Sequence, residues 1–131
     1  MKTKLQPKIK ETGKAGLTNQ VTDYLKIAEK LYPICWYRNQ QNFGSRRGRP
    51  DFEVGFKTVI LLGGPGKKIK ALMETVNIEL KSPSRKTKLN THQENERLRI
   101  ENAGGEYHIM TSIDELHKIF VDRGYDRVRF S

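Results

Sequence analysis

Apolar and polar positions alternate most regularly at Val76-Asn77-Ile78-Glu79-Leu80-Lys81, a period of two that predicts a β-strand. Val76, Ile78 and Leu80 fall on one face of it, and Asn77, Glu79 and Lys81 on the other. A carboxylate and an ammonium two residues apart therefore project from the same side of a rigid support. Upstream, Leu17, Val21, Leu25, Ala28 and Leu31 recur at helical spacing. They predict a helix from about Thr18 to Leu31, which Thr18 or Asn19 can cap and Pro33 stops. Ile34-Cys35-Trp36-Tyr37-Arg38 reads as a first strand, rich in bulky residues. A second apolar stretch from Asp51 to about Leu62 reads as one or two strands of a hairpin. Its turn falls either near Gly55-Phe56-Lys57 or at Gly63-Gly64-Pro65-Gly66.

Beyond Lys81 the central strand ends at Ser82-Pro83, and a polar loop runs to Asn90. A helix is expected from about Thr91 to Ala103, with Leu98 and Ile100 as its apolar positions and Gly104-Gly105 as its stop. Glu106 to Thr111 reads as a strand. Ser112 then opens a helix, with Glu115 three residues later in capping-box spacing. Its apolar positions are Ile113, Leu116, Ile119 and Phe120, and Gly124 ends it; Val128-Arg129-Phe130 suits a short terminal strand. No internal repeat is visible. Helices interleaved with strands predict an α/β class, a small mixed β-sheet flanked by helices.

Length and charge sharpen this picture. The chain has 131 residues, which suits one domain. Residues 1 to about 16 hold Lys2, Lys4, Lys8, Lys10 and Lys14 with Pro7, Gly13 and Gly16, and read as a flexible basic arm before a domain over 17–131. The formal net charge is +10 and the isoelectric point about 9.8. Such an excess favours an anionic polymer, most simply nucleic acid, through phosphate neutralisation and counterion release. The single cysteine, Cys35, excludes an internal disulfide and a cysteine-rich zinc site; between Ile34 and Trp36 it reads as a small buried hydrophobe. With no apolar run long enough for a membrane span or a secretory segment, a cytoplasmic protein is the expectation.

The cations cluster in three loops. Arg46, Arg47 and Arg49 precede Pro50-Asp51; Lys67, Lys68 and Lys70 follow the glycine-rich turn; Arg85, Lys86 and Lys88 follow the central strand. The planar arginine fork suits phosphate, and phosphate contact is the reading set against plain solvated charge. Gly66-Lys67-Lys68 imitates a phosphate-binding loop but fails its pattern, because position 61 is Leu and Lys68 is neither Ser nor Thr. The second loop is therefore either a flap over nucleic acid or a plain turn. His92, His108 and His117 share no metal-ligand spacing and read as structural or solvated. Trp36 and Tyr37 could stack on bases, but their place in a core strand favours packing.

Three local features then line up in order: Arg47-Gly48-Arg49-Pro50-Asp51-Phe52, Ile78-Glu79-Leu80-Lys81-Ser82-Pro83, and Gln93 in the first turn of the following helix. Ala103-Gly104-Gly105 leads on into a strand and a Ser-Ile-Asp-Glu-Leu helix start. Over roughly residues 34 to 120 this order resembles the PD-(D/E)XK nuclease superfamily, and within it the VRR-NUC branch. The resemblance implies a restriction-endonuclease-like core. It implies Asp51 and Glu79 as ligands of one or two Mg²⁺ or Mn²⁺ ions, with the Leu80 carbonyl as a further ligand. It implies that Lys81 positions or deprotonates the attacking water or neutralises developing charge, and that Gln93 helps orient Lys81 or the water. It further implies a homodimeric, structure-selective endonuclease acting on branched DNA such as four-way (Holliday) junctions. The small size, single-domain build and basic arm suit a phage or mobile-element protein, in a bacterial or phage-infected cell.

Elementary chemistry runs parallel to that resemblance. Carboxylate oxygens suit Mg²⁺ and Mn²⁺ rather than zinc. A cation held against a phosphodiester acts as a Lewis acid, and a lysine crowded by positive charge gives up its proton more readily and so suits a general base. Two departures from the branch stand out. Where an acid is expected on the first helix the chain has Thr18, Asn19 and Gln20, with Asp23 and Glu29 the nearest acids. The stretch between Asp51 and Glu79 is also long, which suggests a loop insertion around Gly63 to Leu72. The competing functions are a non-catalytic nucleic-acid binder that keeps the nuclease fold and, more remotely, a basic packaging protein.

Overall fold

The period-two stretch occupies the carboxyl half of a long strand that is central in a mixed sheet. The structure, a computed structural model, describes residues 3–5, 14–39, 48–66, 68–82 and 89–130. Along these the chain forms β1 (Thr3–Leu5), α1 (Lys14–Leu31), β2 (Ile34–Arg38), β3 (Phe52–Leu62), β4 (Lys68–Leu80), α2 (Thr91–Asn102), β5 (Glu106–Met110), α3 (Ile113–Asp122) and β6 (Val128–Phe130). The sheet runs β2-β3-β4-β5, antiparallel from β2 to β4 and parallel between β4 and β5, with α2 as the crossover a parallel pair requires. The α/β class and the small mixed sheet match the pattern of the sequence.

Alternation and register sort the sheet into two faces. Phe52, Val54 and Phe56 of β3 lie beside Val76, Ile78 and Leu80 of β4, and all are buried with Met110 of β5. Helices α1 and α3 cover this face with Leu17, Val21, Tyr24, Leu25, Ala28, Leu116, Ile119 and Phe120. Phe120 sits edge-on to Tyr24 and Phe56, at 5.1 and 5.0 Å between ring centres. Each such side chain contributes about 1.5–3 kcal/mol on burial, so this layer drives folding. The opposite face carries the row Tyr37, Glu53, Asn77 and Tyr107 across four strands, and α2 lies against it.

Several expectations shift. Helix α1 begins at Lys14, and Thr3–Leu5 pairs in parallel with β6; the rest of the expected basic arm lies outside the described residues. Lys14 and Ala15 are good helix formers, and one Gly costs about 1 kcal/mol, which a buried helix tolerates. Helix α2 lacks an apolar stripe: Leu98 is exposed, Ile100 is half-buried near Gly105, and its one buried residue is the polar Glu96, with Gln93 reaching Glu79. At α3 the Ser112 hydroxyl makes no cap; Glu115 Oε2 instead accepts from the Thr111 amide at 3.2 Å. Trp36 packs near Phe52 and donates from Nε1 to Glu29, whereas Tyr37, on the other face of an edge strand, stands exposed.

The hairpin turns at Gly63–Gly66, where Gly64 and Gly66 hold positive φ. No loop insertion forms there. The extra residues lengthen both strands into a two-stranded ribbon, Lys57–Leu62 against Lys68–Met73, past the ends of β2 and β5.

Candidate active site

The polar cluster forms where β4 ends and α2 begins, at the carboxyl edge of a parallel strand pair, where α/β sheets commonly bind ligands. Glu79 is almost fully buried, at 1 % exposure. Its Oε2 accepts from Gln93 Nε2 at 2.9 Å and lies 3.8 Å from Lys81 Nζ. Lys81 Nζ donates to Gln93 Oε1 at 2.8 Å. The same Oε1 accepts from the Asn90 amide at 3.1 Å, while Asn90 Oδ1 accepts from the Gln93 amide at 2.8 Å. Lys81 and a backbone N–H can only donate, so they fix the side-chain oxygen of Gln93 toward themselves and its NH₂ toward the carboxylate. One glutamine thus caps a helix and joins a carboxylate to an ammonium.

Asp51 reaches the cluster from the opposite strand. Its Oδ2 accepts from the Leu80 amide at 2.8 Å, and its carbonyl accepts from the Asn39 amide at 2.8 Å. Asn39 Nδ2 donates to the Pro50 carbonyl and to Glu53 Oε2, both at 2.9 Å, which ties the Arg49-Pro50-Asp51 turn to the end of β2. Gly48 closes this turn against α2. It holds φ +79°, and a Cβ there would lie 2.2 Å from the His92 carbonyl oxygen. Only glycine permits the approach that sets Asp51 beside the start of α2.

Tyr107 of β5 also faces this side. Its hydroxyl is buried and has no hydrogen-bond partner among the described residues. Burial, then the negative charges of Glu79 and Asp51, push its phenol well above the usual range. An uncharged donor is thereby kept beside two carboxylates.

Of the residues singled out in the sequence, Asp51, Glu79, Leu80, Lys81 and Gln93 come together. Arg49 is half exposed and pairs with Glu53 at 3.2 Å, at the mouth of a small cleft with Pro50, Asn77, Glu96 and Arg99. Arg46, Arg47, Lys67, Arg85, Lys86 and Lys88 lie outside the described residues, and Lys68 is described only as the first position of β4. His117 Nδ1 meets the Tyr24 hydroxyl at 2.8 Å and His108 meets Glu106, both away from the cluster. Sequence reasoning missed Asn90, Gly48 and Tyr107. Asn90 was findable, since Asn-x-x-Gln before a helix is capping spacing. Gly48 and Tyr107 become significant only through tertiary approach.

The donor set is two carboxylates with the Leu80 backbone between them. No group of three or more His, Cys, Asp or Glu side chains gathers among the described residues. Helix α1, where an acid was expected, packs on the far face of the sheet. Mg²⁺ commonly uses one or two carboxylates and completes its shell with water and substrate phosphate, so the oxygens present fit that ion. No family model matches the chain, and no curated protein or solved structure matches it. No helix among the described residues is long and apolar enough to cross a membrane.

Proposed function

We propose that this protein is a metal-dependent DNA nuclease that hydrolyses phosphodiester bonds. The observation that carries the reading is the convergence of Asp51, Glu79, Lys81 and Gln93 at one end of β4 in a chain of net charge +10. Asp51 and Glu79, with the Leu80 carbonyl, would hold Mg²⁺ or Mn²⁺, which supplies Lewis acidity and an activated water when bound. Lys81 places a positive charge where negative charge grows on the phosphate, or takes a proton from the attacking water. Gln93 keeps that ammonium and the Glu79 carboxylate in fixed register. Arg49 offers a fork to the backbone phosphate. Branched DNA such as four-way junctions is the substrate class that the VRR-NUC resemblance suggests.

A second reading, a non-catalytic DNA binder, draws on the same set: two carboxylates without a third acid make a spare metal site. The two are separated by incubating plasmid and four-way-junction DNA with Mg²⁺, Mn²⁺ or EDTA. Wild type should cut in metal and not in EDTA, and Glu79→Gln should lose at least about a hundredfold in rate. Glu79→Gln keeps an acceptor for Gln93 but takes the carboxylate from Lys81, so its melting temperature should fall, and retained circular dichroism at the assay temperature checks that the loss of cleavage is not unfolding. Salt-sensitive binding with no cleavage in either metal would establish the binder.

A further inference from the structure

Glu96 is a buried charge that the proposed chemistry leaves unused. It sits three residues past Gln93 on α2 and lines the polar cleft with Asn77. Burying a carboxylate costs stability, and an apolar side chain would cover the sheet without that cost. What Glu96 supplies instead is a two-point grip on Arg99. Its Oε1 accepts from Arg99 Nε at 3.0 Å and its Oε2 from Nη2 at 2.7 Å. Two such bonds fix the plane of the guanidinium as well as its place. The arginine end of the pair is 56 % exposed, against 5 % for the acid. Of the five N–H donors of Arg99, the described residues engage the two that Glu96 holds.

The cleft adjoins the Asp51 and Glu79 carboxylates. Arg49 and Pro50 of its wall lead directly into Asp51. Asn77 precedes Glu79 by two residues on the same face of β4, roughly 7 Å of strand. Along α2, Arg99 lies six residues past Gln93, on the order of 9 Å. Successive phosphates of one DNA strand are about 3.4 Å apart along the duplex axis. A strand that runs from the carboxylates along α2 therefore brings a phosphate about two or three steps away over this cleft. The cleft volume, about 160 Å³, suits a phosphate group with its water. We propose that Arg99, aimed by the buried Glu96 and acting with Arg49, forms a subsite for a DNA backbone phosphate that flanks the one at the carboxylates.

The ligand class follows from the donors. A guanidinium fork matches the oxygens of a phosphate. Arg49 is tethered to Glu53 at 3.2 Å and, like Arg99, stays about half exposed. The charges of these two pairs cancel within the cleft. It therefore holds an anion through directed N–H groups, while the long-range attraction comes from the net charge of +10. Donors already fixed by an acid need little ordering when the ligand arrives. Glu96 is in this sense a positioning residue, and Arg99 the residue that touches DNA. The inference rests on the DNA part of the reading above and not on cleavage, since a non-catalytic binder would use the same subsite.

The test is fluorescence anisotropy with a labelled short DNA duplex in EDTA, across a series of salt concentrations. A Glu96→Gln/Arg99→Gln double variant loses one charge of each sign, so its net charge is that of wild type. Its affinity should fall roughly tenfold, and the slope of log K against log salt should shrink by about one. Lys118→Gln/Asp122→Asn removes an exposed pair from α3, across the sheet, and should change neither. Arg99→Lys keeps a cation over the buried acid and offers a point charge in place of the fork; it should lose affinity several-fold. Circular dichroism at the assay temperature checks folding, and Arg99→Lys decides the matter if the double variant unfolds. Wild-type affinity in the folded Arg99 variants, an equal loss in the α3 pair, or a wild type that does not bind the duplex would each overturn the inference. A protein that binds through Arg99 yet cuts nothing in Mg²⁺ or Mn²⁺ would sink the nuclease reading alone, so the two failures are distinguishable.

Discussion

Strand β4 contains two opposite solutions to burial. Its carboxyl half, Val76–Leu80, is wholly buried, including the polar Asn77 and Glu79. Its amino half exposes Ile69, Leu72 and Met73. Polarity alone would assign the two halves the other way round. The difference lies in neighbours. The carboxyl half is flanked by β3 and β5 and covered on both faces by helices; the amino half has only β3 beside it. A buried carboxylate is costly unless paired, and Gln93 and Lys81 supply its partners. Exposed apolar side chains gain nothing from the hydrophobic effect, and the strand neighbours that would cover Ile69, Leu72 and Met73 are missing on one side. One half spends stability on a polar site; the other leaves apolar area exposed.

Truncation should break this contrast most visibly. Phe52→Ala, at the fully buried base beside Ile78, should cost about 3–5 kcal/mol. Leu61→Ala, near the ribbon tip, should change monomer stability by no more than about 0.5 kcal/mol in chemical denaturation at low concentration. Equal losses at the two sites would mean that the ribbon is buried within one chain.

A smaller effect should follow from Gly48→Ala. Its left-handed backbone costs about 1–2 kcal/mol with a Cβ present, before the clash with the His92 carbonyl. The Asp51 turn must then withdraw from α2. Cleavage in Mg²⁺ should fall more than stability does, as compared by cleavage rate and denaturant midpoint.

The smallest effect is in alkali. The phenols of Tyr24 and Tyr107 are both raised, first by burial, then by Tyr32 for Tyr24 and by Glu79 and Asp51 for Tyr107. A raised pKa means the fold prefers the protonated form. That stabilisation is complete below the unfolded value of about 10 and is lost as the pH climbs above it. Denaturant midpoints should therefore decline above about pH 10, and Tyr107→Phe should flatten part of the decline. No tyrosine lies in the ribbon, so the part of the decline that Tyr107→Phe removes reports on the buried half.

Much of the fold was legible because its signals are local. The alternation at 76–81, the 3–4 spacing of α1 and the glycines at 63–66 and 104–105 each dictate an element from within a few residues. Gln93 was legible as a first-turn residue. Its triple contact was not, because Glu79 and Lys81 lie beyond an intervening loop. The inward turn of Glu96 ran against the polarity pattern, since α2 packs on a polar row rather than an apolar one.

What the amino-acid order determines by itself is periodicity and charge: which residues share a face, where elements stop, and a net charge of +10. Which face is covered, and along what length, depended on strands and helices distant in the chain. β2 and β5 are each five residues long and flank only part of β3 and β4, and that mismatch leaves a buried polar site and an exposed apolar ribbon on one strand. Burial is a property of neighbours, and neighbours are assigned only when the chain folds.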